Sequence, residues 1–145
     1  MNYAGVKRTP AHLWIVGLLS LLWNGFGAYD YLMSVTRNEA YLANFPPEIV
    51  AFLDSFPAWA NAAWAIGVWG SVLGSVLLLL RSRHAASAFI LSLIGAAASF
   101  AFQLSIEIPA PLAGPAAWLI PLAILCGIVL QWLYSRAMAK RGVLR

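Results

Sequence analysis

Four long apolar segments separated by short polar stretches dominate the pattern of this chain. They cover residues 11–34, 57–80, 85–106 and 115–134, and Asp30 is the only charged residue inside them. A helix needs about 20 mostly apolar residues to cross the hydrocarbon core of a bilayer, and lipid offers no partners for free backbone groups. The pattern therefore predicts an all-α membrane protein, with one domain built as a bundle of four transmembrane helices.

The long connection between the first two spans has a pattern of its own. Ile49, Phe52, Leu53 and Phe56 recur at helical spacing, with polar residues elsewhere around the turn. This predicts a short amphipathic helix over 47–56 that lies on the outer membrane surface or caps the bundle.

The composition agrees with a chain that is surrounded by lipid. Hydrophobic residues make up 62% of it, charged residues 10%, and the mean hydropathy is +0.79. A soluble domain carries about a quarter charged residues, so this chain could not cover a soluble surface. The net charge of +4 does not indicate nucleic-acid binding, because the basic residues sit at segment ends and form no face along phosphates.

The basic residues predict the orientation in the membrane. All but Arg37 fall before the first span, between the second and third, or after the fourth. The positive-inside rule places those regions in the cytoplasm. We therefore expect a multi-pass protein of the bacterial inner membrane with both termini cytoplasmic. The five acidic residues all fall toward the opposite side.

Polar and aromatic residues near the outer ends of the spans are the candidate binding residues, since polar groups inside a membrane span are often functional. We predict that Asp30, Asn61, Gln103 and Glu107 converge in the outer third of the bundle as a polar cup that binds a small solute. The candidates are Asn24, Asp30, Tyr31, Arg37, Asn61, Trp64, Gln103 and Glu107. A structural alternative is that Asp30 pairs with Arg37 at the interface and Asn24 bonds across helices.

Small residues at helical spacing predict close helix contacts. The second span contains Gly67, Gly70 and Gly74, and the third contains Gly95. Such faces let helix backbones approach closely. They are expected either to join the second and third spans inside one subunit or to form a homo-oligomer interface.

No pattern for catalysis or for a cofactor is present in the sequence. Cys126 is the only cysteine, and His12 and His84 both lie at span ends rather than deep in a span, which disfavours a bis-histidine haem. Nucleotide-binding, hydrolase and metalloprotease motifs are absent. We therefore expect no cofactor, no metal site and no enzymatic activity.

Two stretches resemble a family of small four-span bacterial inner-membrane proteins that are often labelled sugar transporters. The stretches are Leu22-Trp-Asn-Gly-Phe-Gly-Ala-Tyr-Asp-Tyr31 with Thr36-Arg-Asn-Glu-Ala-Tyr-Leu42, and Pro57-Ala-Trp59 with Ala63-Trp-Ala-Ile-Gly-Val-Trp-Gly70. The resemblance implies a transport role, and no mechanism comes with it. The residues it carries over are Trp23, Asn24, Asp30, Tyr31, Arg37, Asn38, Trp59 and Trp64.

Two functional hypotheses follow. In the first, the protein takes part in transport of a small polar, sugar-like solute, as an oligomer because four spans rarely enclose a pathway alone. In the second, it is a non-catalytic accessory subunit of a larger membrane complex. The inner halves of the spans offer few polar groups, which argues against a continuous path and favours the second hypothesis. The family resemblance favours the first, and we therefore predict a transport-related role, with the accessory role as the alternative.

Overall fold

The computed structural model describes residues 8–145, and the regular structure in that range is helical throughout. Six α-helices are joined by short connections, and a 3-10 turn at Ala110–Leu112 precedes the last one. The helices are α1 Ala11–Val35, α2 Glu39–Leu42, α3 Pro47–Asp54, α4 Ala58–Leu79, α5 Ala85–Ser105 and α6 Ala116–Lys140. Four of them, α1, α4, α5 and α6, are long and apolar enough to cross a membrane.

The helix bounds follow the predicted spans except at α6. This helix continues to Lys140, six residues beyond the predicted end at residue 134. The prediction followed the apolar segment up to residue 134, whereas the helix continues past Ser135 and Arg136 into a last turn whose Met138 is buried in the bundle. The loop helix α3 ends at Asp54 rather than at residue 56, because the chain turns before Pro57.

Proline determines where several of these helices begin. Pro10, Pro57 and Pro115 immediately precede α1, α4 and α6, and Pro47 opens α3. A proline in the first turn removes an N–H that would have no helical partner, and its fixed φ suits the helix.

Three helices end in the same hydrogen-bonded motif. At the end of α1, the Asn38 N–H donates to Met33 O at 3.0 Å and the Arg37 N–H to Ser34 O at 3.3 Å. This is the Schellman arrangement, whose turning residue adopts a left-handed conformation that favours glycine. Gly142 fills that position after α6, but Arg37 (φ 55°) and Arg81 (φ 60°) fill it after α1 and α4.

The four long helices pack in the order α1, α4, α5, α6, and the α4–α5 contact is the most extensive. On α4, Gly67 and Gly70 lie against the backbone of α5. On α5, Gly95 lies against the backbone of α4, and Ser92 Oγ donates to Gly67 O at 2.5 Å. The glycines singled out in the sequence therefore lie at a contact within one subunit.

The two ends of the bundle differ. One end, called the terminal end, holds the start of α1, the α4–α5 turn and the residues after α6. A buried apolar cluster of Leu13, Leu78, Ala85, Phe89, Met138, Val143 and Leu144 fills it. The other end, called the loop end, holds residues 36–57 and 106–115. There α3 is covered in part by aromatic contacts, since Phe56 packs on Phe52 and on Phe102 of α5.

Candidate functional site

A partly open cavity of about 360 Å³ lies between the helices, with walls from all four long helices. It is not fully enclosed, since the lining side chains of Trp23, Phe26 and Ile120 are more than half exposed. Most of its wall is apolar. Its aromatic members are Trp23, Phe26, Trp64 and Phe100, and its polar members are Asn24, Asp30, Ser71 and Ser99.

Asp30 supplies the only carboxylate of the cavity wall. It lies on α1, five residues before the helix ends at Val35, which places it about 7 Å from the loop end. Its Oδ1 accepts a hydrogen bond of 2.5 Å from the hydroxyl of Tyr41. The structure thus brings a residue of the connection between α1 and α4 into contact with a carboxylate of α1.

The short helix α2 positions Tyr41. Asn38 caps this helix, and its side-chain Oδ1 accepts the Tyr41 N–H at 2.9 Å, as expected for asparagine at a helix N-cap. Burial, and then the neighbouring Asp30, raise the pKa of Tyr41 to about 12. The hydroxyl therefore stays protonated at physiological pH and remains a donor to Asp30.

The predicted pairing of Asp30 with Arg37 is wrong. Arg37 forms its salt bridge with Asp54, at the end of α3. The Schellman turn places Arg37 outside α1 in a left-handed conformation, so the helical spacing on which the prediction depended does not extend to it. Within residues 8–145, no basic side chain lies within ion-pair distance of Asp30.

Asn24 lies in the cavity wall nearer the middle of the bundle and joins three helices. Its Nδ2 donates to Ser75 Oγ at 2.9 Å, to Gln131 Oε1 at 3.1 Å and to Ser71 O at 3.2 Å. Asn24, Ser75 and Gln131 are all buried. The predicted hydrogen bonds of Asn24 across helices are thus present, and they link α1 to α4 and to α6.

The bundle is closed between this network and the terminal end. There the apolar cluster fills the space between the helices, and His12 Nδ1 and the Tyr134 hydroxyl share a hydrogen bond of 2.5 Å between α1 and α6. Ser135 Oγ donates to Gln131 O within α6. The cavity therefore occupies the part of the bundle between Asn24 and the loop end.

The structure separates the other predicted binding residues from the cavity. Tyr31 packs edge-on against Trp64, with ring centroids 5.0 Å apart, and so stands behind the wall. Asn61 Nδ2 donates to Phe56 O at 3.3 Å. Gln103 bonds to Ser99 Oγ and lines a second cavity of about 150 Å³, whereas Glu107 is exposed.

The polar cup expected from Asp30, Asn61, Gln103 and Glu107 is therefore not formed as one site. Of the eight predicted binding residues, Asn24, Asp30 and Trp64 line the central cavity. The sequence indicates how far along its span each residue lies. It does not indicate the direction in which the side chain points around the helix, because that direction depends on how the helices pack.

Four residues of the site were missed by reasoning from the sequence. Gln131 lies in the inner half of the fourth span, and the inner halves were expected to hold few polar groups. Asn24 was a signal for it, because a polar group inside a span needs a hydrogen-bond partner. Ser71 and Ser75 lie among the small residues of the second span, which indicated packing. Tyr41 lies in the connection between α1 and α4, within a stretch of the family resemblance, and only the α1–α2 turn brings it to Asp30.

No arrangement of metal ligands accompanies this site. Among residues 8–145, no group of three His, Cys, Asp or Glu side chains is placed to hold a metal ion. The sole cysteine, Cys126, is exposed on α6.

No protein-family model, curated protein or solved structure matches this chain. Its class therefore follows from the fold: a multi-pass membrane protein of four apolar helices with a cavity between them.

Proposed function

We propose that this protein binds a small solute in the cavity between Asn24 and the loop end, and that it takes part in moving that solute across the bacterial inner membrane. The observation that carries the proposal is the cavity itself, which combines one carboxylate with a mostly apolar and aromatic wall. Ligand sites are typically concave and apolar, with a few placed polar groups.

The proposed orientation has both termini in the cytoplasm, so the loop end faces the periplasm. Charge supports it. Arg8, Arg81, Arg83, Arg136, Lys140, Arg141 and Arg145 belong to the terminal end, and every acidic residue lies toward the loop end. The positive-inside rule then assigns the terminal end to the cytoplasm.

Because the terminal end is closed, the proposal makes the loop end the side from which the solute enters. In the proposal, a solute enters from the loop end and stops at the Asn24–Ser75–Gln131 network, below which the helices are packed together. Passage to the cytoplasm would require α1 and α6 to separate there, and an oligomer would supply the surfaces against which they move.

The accessory-subunit hypothesis is the second candidate, and α6 supports it. Only 6% of the residues in the apolar stretch of α6 are buried, against 28% in α1, 28% in α4 and 39% in α5. A spanning helix so little covered by its own bundle offers a large face to a partner protein, although lipid would cover it equally well.

A binding experiment with a matched pair of variants tests the proposal. Gly25 and Gly27 lie on α1, and a Cβ added at either would meet nothing within 4 Å, but only Gly27 lines the cavity. Gly27→Leu should fill the cavity and abolish binding, whereas Gly25→Leu should leave binding unchanged.

The protein would be placed in lipid nanodiscs and titrated with sugars, small polar solutes and organic cations. Quenching of tryptophan fluorescence reports binding, since Trp23 and Trp64 line the cavity, and uptake into proteoliposomes reports transport. Saturable binding lost only in Gly27→Leu is the expected result. Absence of any ligand, with co-purification of a larger membrane complex, would favour the accessory role.

A further inference from the structure

We propose that the solute is an organic cation with an apolar or aromatic body, whose charge pairs with Asp30. This inference rests on the proposed function and names the class of ligand that the cavity would accept. It departs from the sugar-like solute that the family resemblance implies, and the reasons lie in how the polar groups of the wall are used.

The first reason is that, among residues 8–145, no cationic side chain pairs with the Asp30 carboxylate. A carboxylate away from water is costly unless a cation or several donors compensate it. Tyr41 donates one hydrogen bond to Oδ1, but this donor is neutral. The nearest basic residue along the chain, Arg37, is paired with Asp54 instead. Asp30 therefore presents a negative charge to the cavity, and a cationic ligand would neutralise it.

The second reason is that most hydrogen-bond donors of the wall are engaged within the protein, which leaves chiefly acceptors such as Asn24 Oδ1 to a ligand. Asn24 Nδ2 bonds to Ser75, Gln131 and the Ser71 carbonyl. Ser71 Oγ donates to Val68 O at 2.8 Å, and Ser99 Oγ accepts from Gln103. A sugar carries several hydroxyl groups, each of which loses free energy when it leaves water without a partner, and this wall offers few.

The third reason is the aromatic content of the wall. Trp23, Trp64, Phe26 and Phe100 surround the same space as Asp30. Aromatic rings attract cations through their quadrupole, tryptophan most strongly, and they bury large apolar bodies. A carboxylate combined with several aromatic rings is thus suited to a quaternary or protonated amine, whose apolar surface leaves few hydrogen bonds unmade.

Binding of benzyltrimethylammonium to the protein in nanodiscs tests this inference. Its neutral isostere neopentylbenzene has the same shape without the charge, and glucose represents the sugars. We expect the cation to bind saturably and at least about tenfold more tightly than either neutral compound, a ratio in keeping with one desolvated charge contact.

Two variants identify the group responsible. Asp30→Asn removes the charge but keeps an oxygen that can accept from Tyr41, and it should weaken cation binding about tenfold or more. Glu48→Gln removes a carboxylate from exposed α3, outside the cavity, and should leave binding unchanged. Tyr41→Phe keeps the Asp30 charge and frees Oδ1, so binding of the cation should be retained or tightened.

The outcomes separate this inference from the proposed function. If glucose or neopentylbenzene binds as tightly as the cation, and Gly27→Leu abolishes that binding, the cavity is a solute site and the cation assignment is wrong. Equal affinity of the cation for Asp30→Asn and the unaltered protein would also overturn the assignment. If no probe binds in a manner sensitive to Gly27→Leu, both proposals fail together.

Discussion

The side-chain amide of Asn24 on α1 donates to Oε1 of Gln131 on α6 across 3.1 Å, although 107 residues separate them along the chain. Both side chains are buried. Because α1 packs on α4 and α6 packs on α5, with little direct contact between α1 and α6, this bond is one of the few links between the first and last long helices. The same amide bonds to Ser75 on α4, so one side chain ties three helices together beneath the cavity.

Removing Asn24 should destabilise the protein because its partner is left unpaired. We expect Asn24→Leu to lower the free energy of unfolding by about 1–2 kcal/mol, within the range for a buried polar group that loses its partner. Gln131→Leu should cost a similar amount. The double variant should cost clearly less than the sum, since it leaves neither amide without a partner.

Reversible unfolding in mixed micelles measures this double-mutant cycle. Gln103→Leu is the control, because Gln103 bonds to Ser99 within its own helix and joins no second helix. Strictly additive losses from Asn24→Leu and Gln131→Leu would show that the bond between them does not couple α1 to α6.

Glycine should be required at Gly95 but not at Gly25. A Cβ on residue 95 would lie 2.7 Å from Ala63 O and from Gly67 N on α4, whereas one on residue 25 would meet nothing within 4 Å. Backbone atoms cannot rotate away, so Gly95→Ala must push α4 and α5 apart. We expect a loss of about 1–3 kcal/mol, as for overpacked cores.

The control for that experiment is Gly25→Ala, which should leave stability unchanged or raise it by up to about 1 kcal/mol, because alanine favours the helix over glycine. The free energies of unfolding of both variants, measured under the same conditions, test this prediction. A Gly95→Ala protein as stable as the Gly25→Ala protein would mean that the α4–α5 backbones are further apart than in this fold.

Much of the fold could be predicted from the sequence, because the lengths of the apolar segments and the prolines at their starts are local features. The spans therefore agree with the helices to within one or two residues at every end except the end of α6. There the helix continues through the mixed polar and apolar residues 135–140, of which Met138 is buried.

The candidate site could be predicted only in part. Asn24 and Asp30 were recognisable as polar groups inside an apolar span, and both line the cavity. Their partners were not recognisable, because Tyr41 reaches Asp30 only through the turn after α1, and Gln131 reaches Asn24 only through the packing of the last helix on the bundle. Such contacts depend on how each helix is rotated, which no spacing rule determines.

The Tyr41–Asp30 bond should make stability depend on alkaline pH. Burial, followed by the hydrogen bond and the charge of Asp30, raises the pKa of Tyr41 from 10.0 to about 12. A group whose folded-state pKa is raised stabilises the fold fully below its unfolded pKa. The contribution is therefore complete below pH 10 and is lost as the pH rises toward about 12.

Near-ultraviolet absorbance of the phenolate measures this titration. One tyrosine should ionise near pH 12, and that component should be missing in Tyr41→Phe. In Asp30→Asn it should move toward lower pH yet stay above 10.0, because burial is the largest cause of the shift and remains. A titration of Tyr41 at its ordinary pKa would contradict its contact with Asp30.

The last residues of the chain should contribute to stability through the terminal end. Leu144 is 4% exposed and packs in the apolar cluster with Leu13 and Leu78. The backbone of Arg145 also bonds to the α4–α5 turn, to Arg81 O at 2.8 Å and from Arg83 N at 2.9 Å. We expect Leu144→Ala to lower the free energy of unfolding by about 2–4 kcal/mol, as for other buried leucines.

Leu130, 66% exposed on α6, is the matched control, and Leu130→Ala should change stability by less than about 0.5 kcal/mol. If unfolding in micelles showed equal small effects for the two variants, the chain end would not be packed against the α4–α5 turn, and the closure of the terminal end would depend on the helices alone.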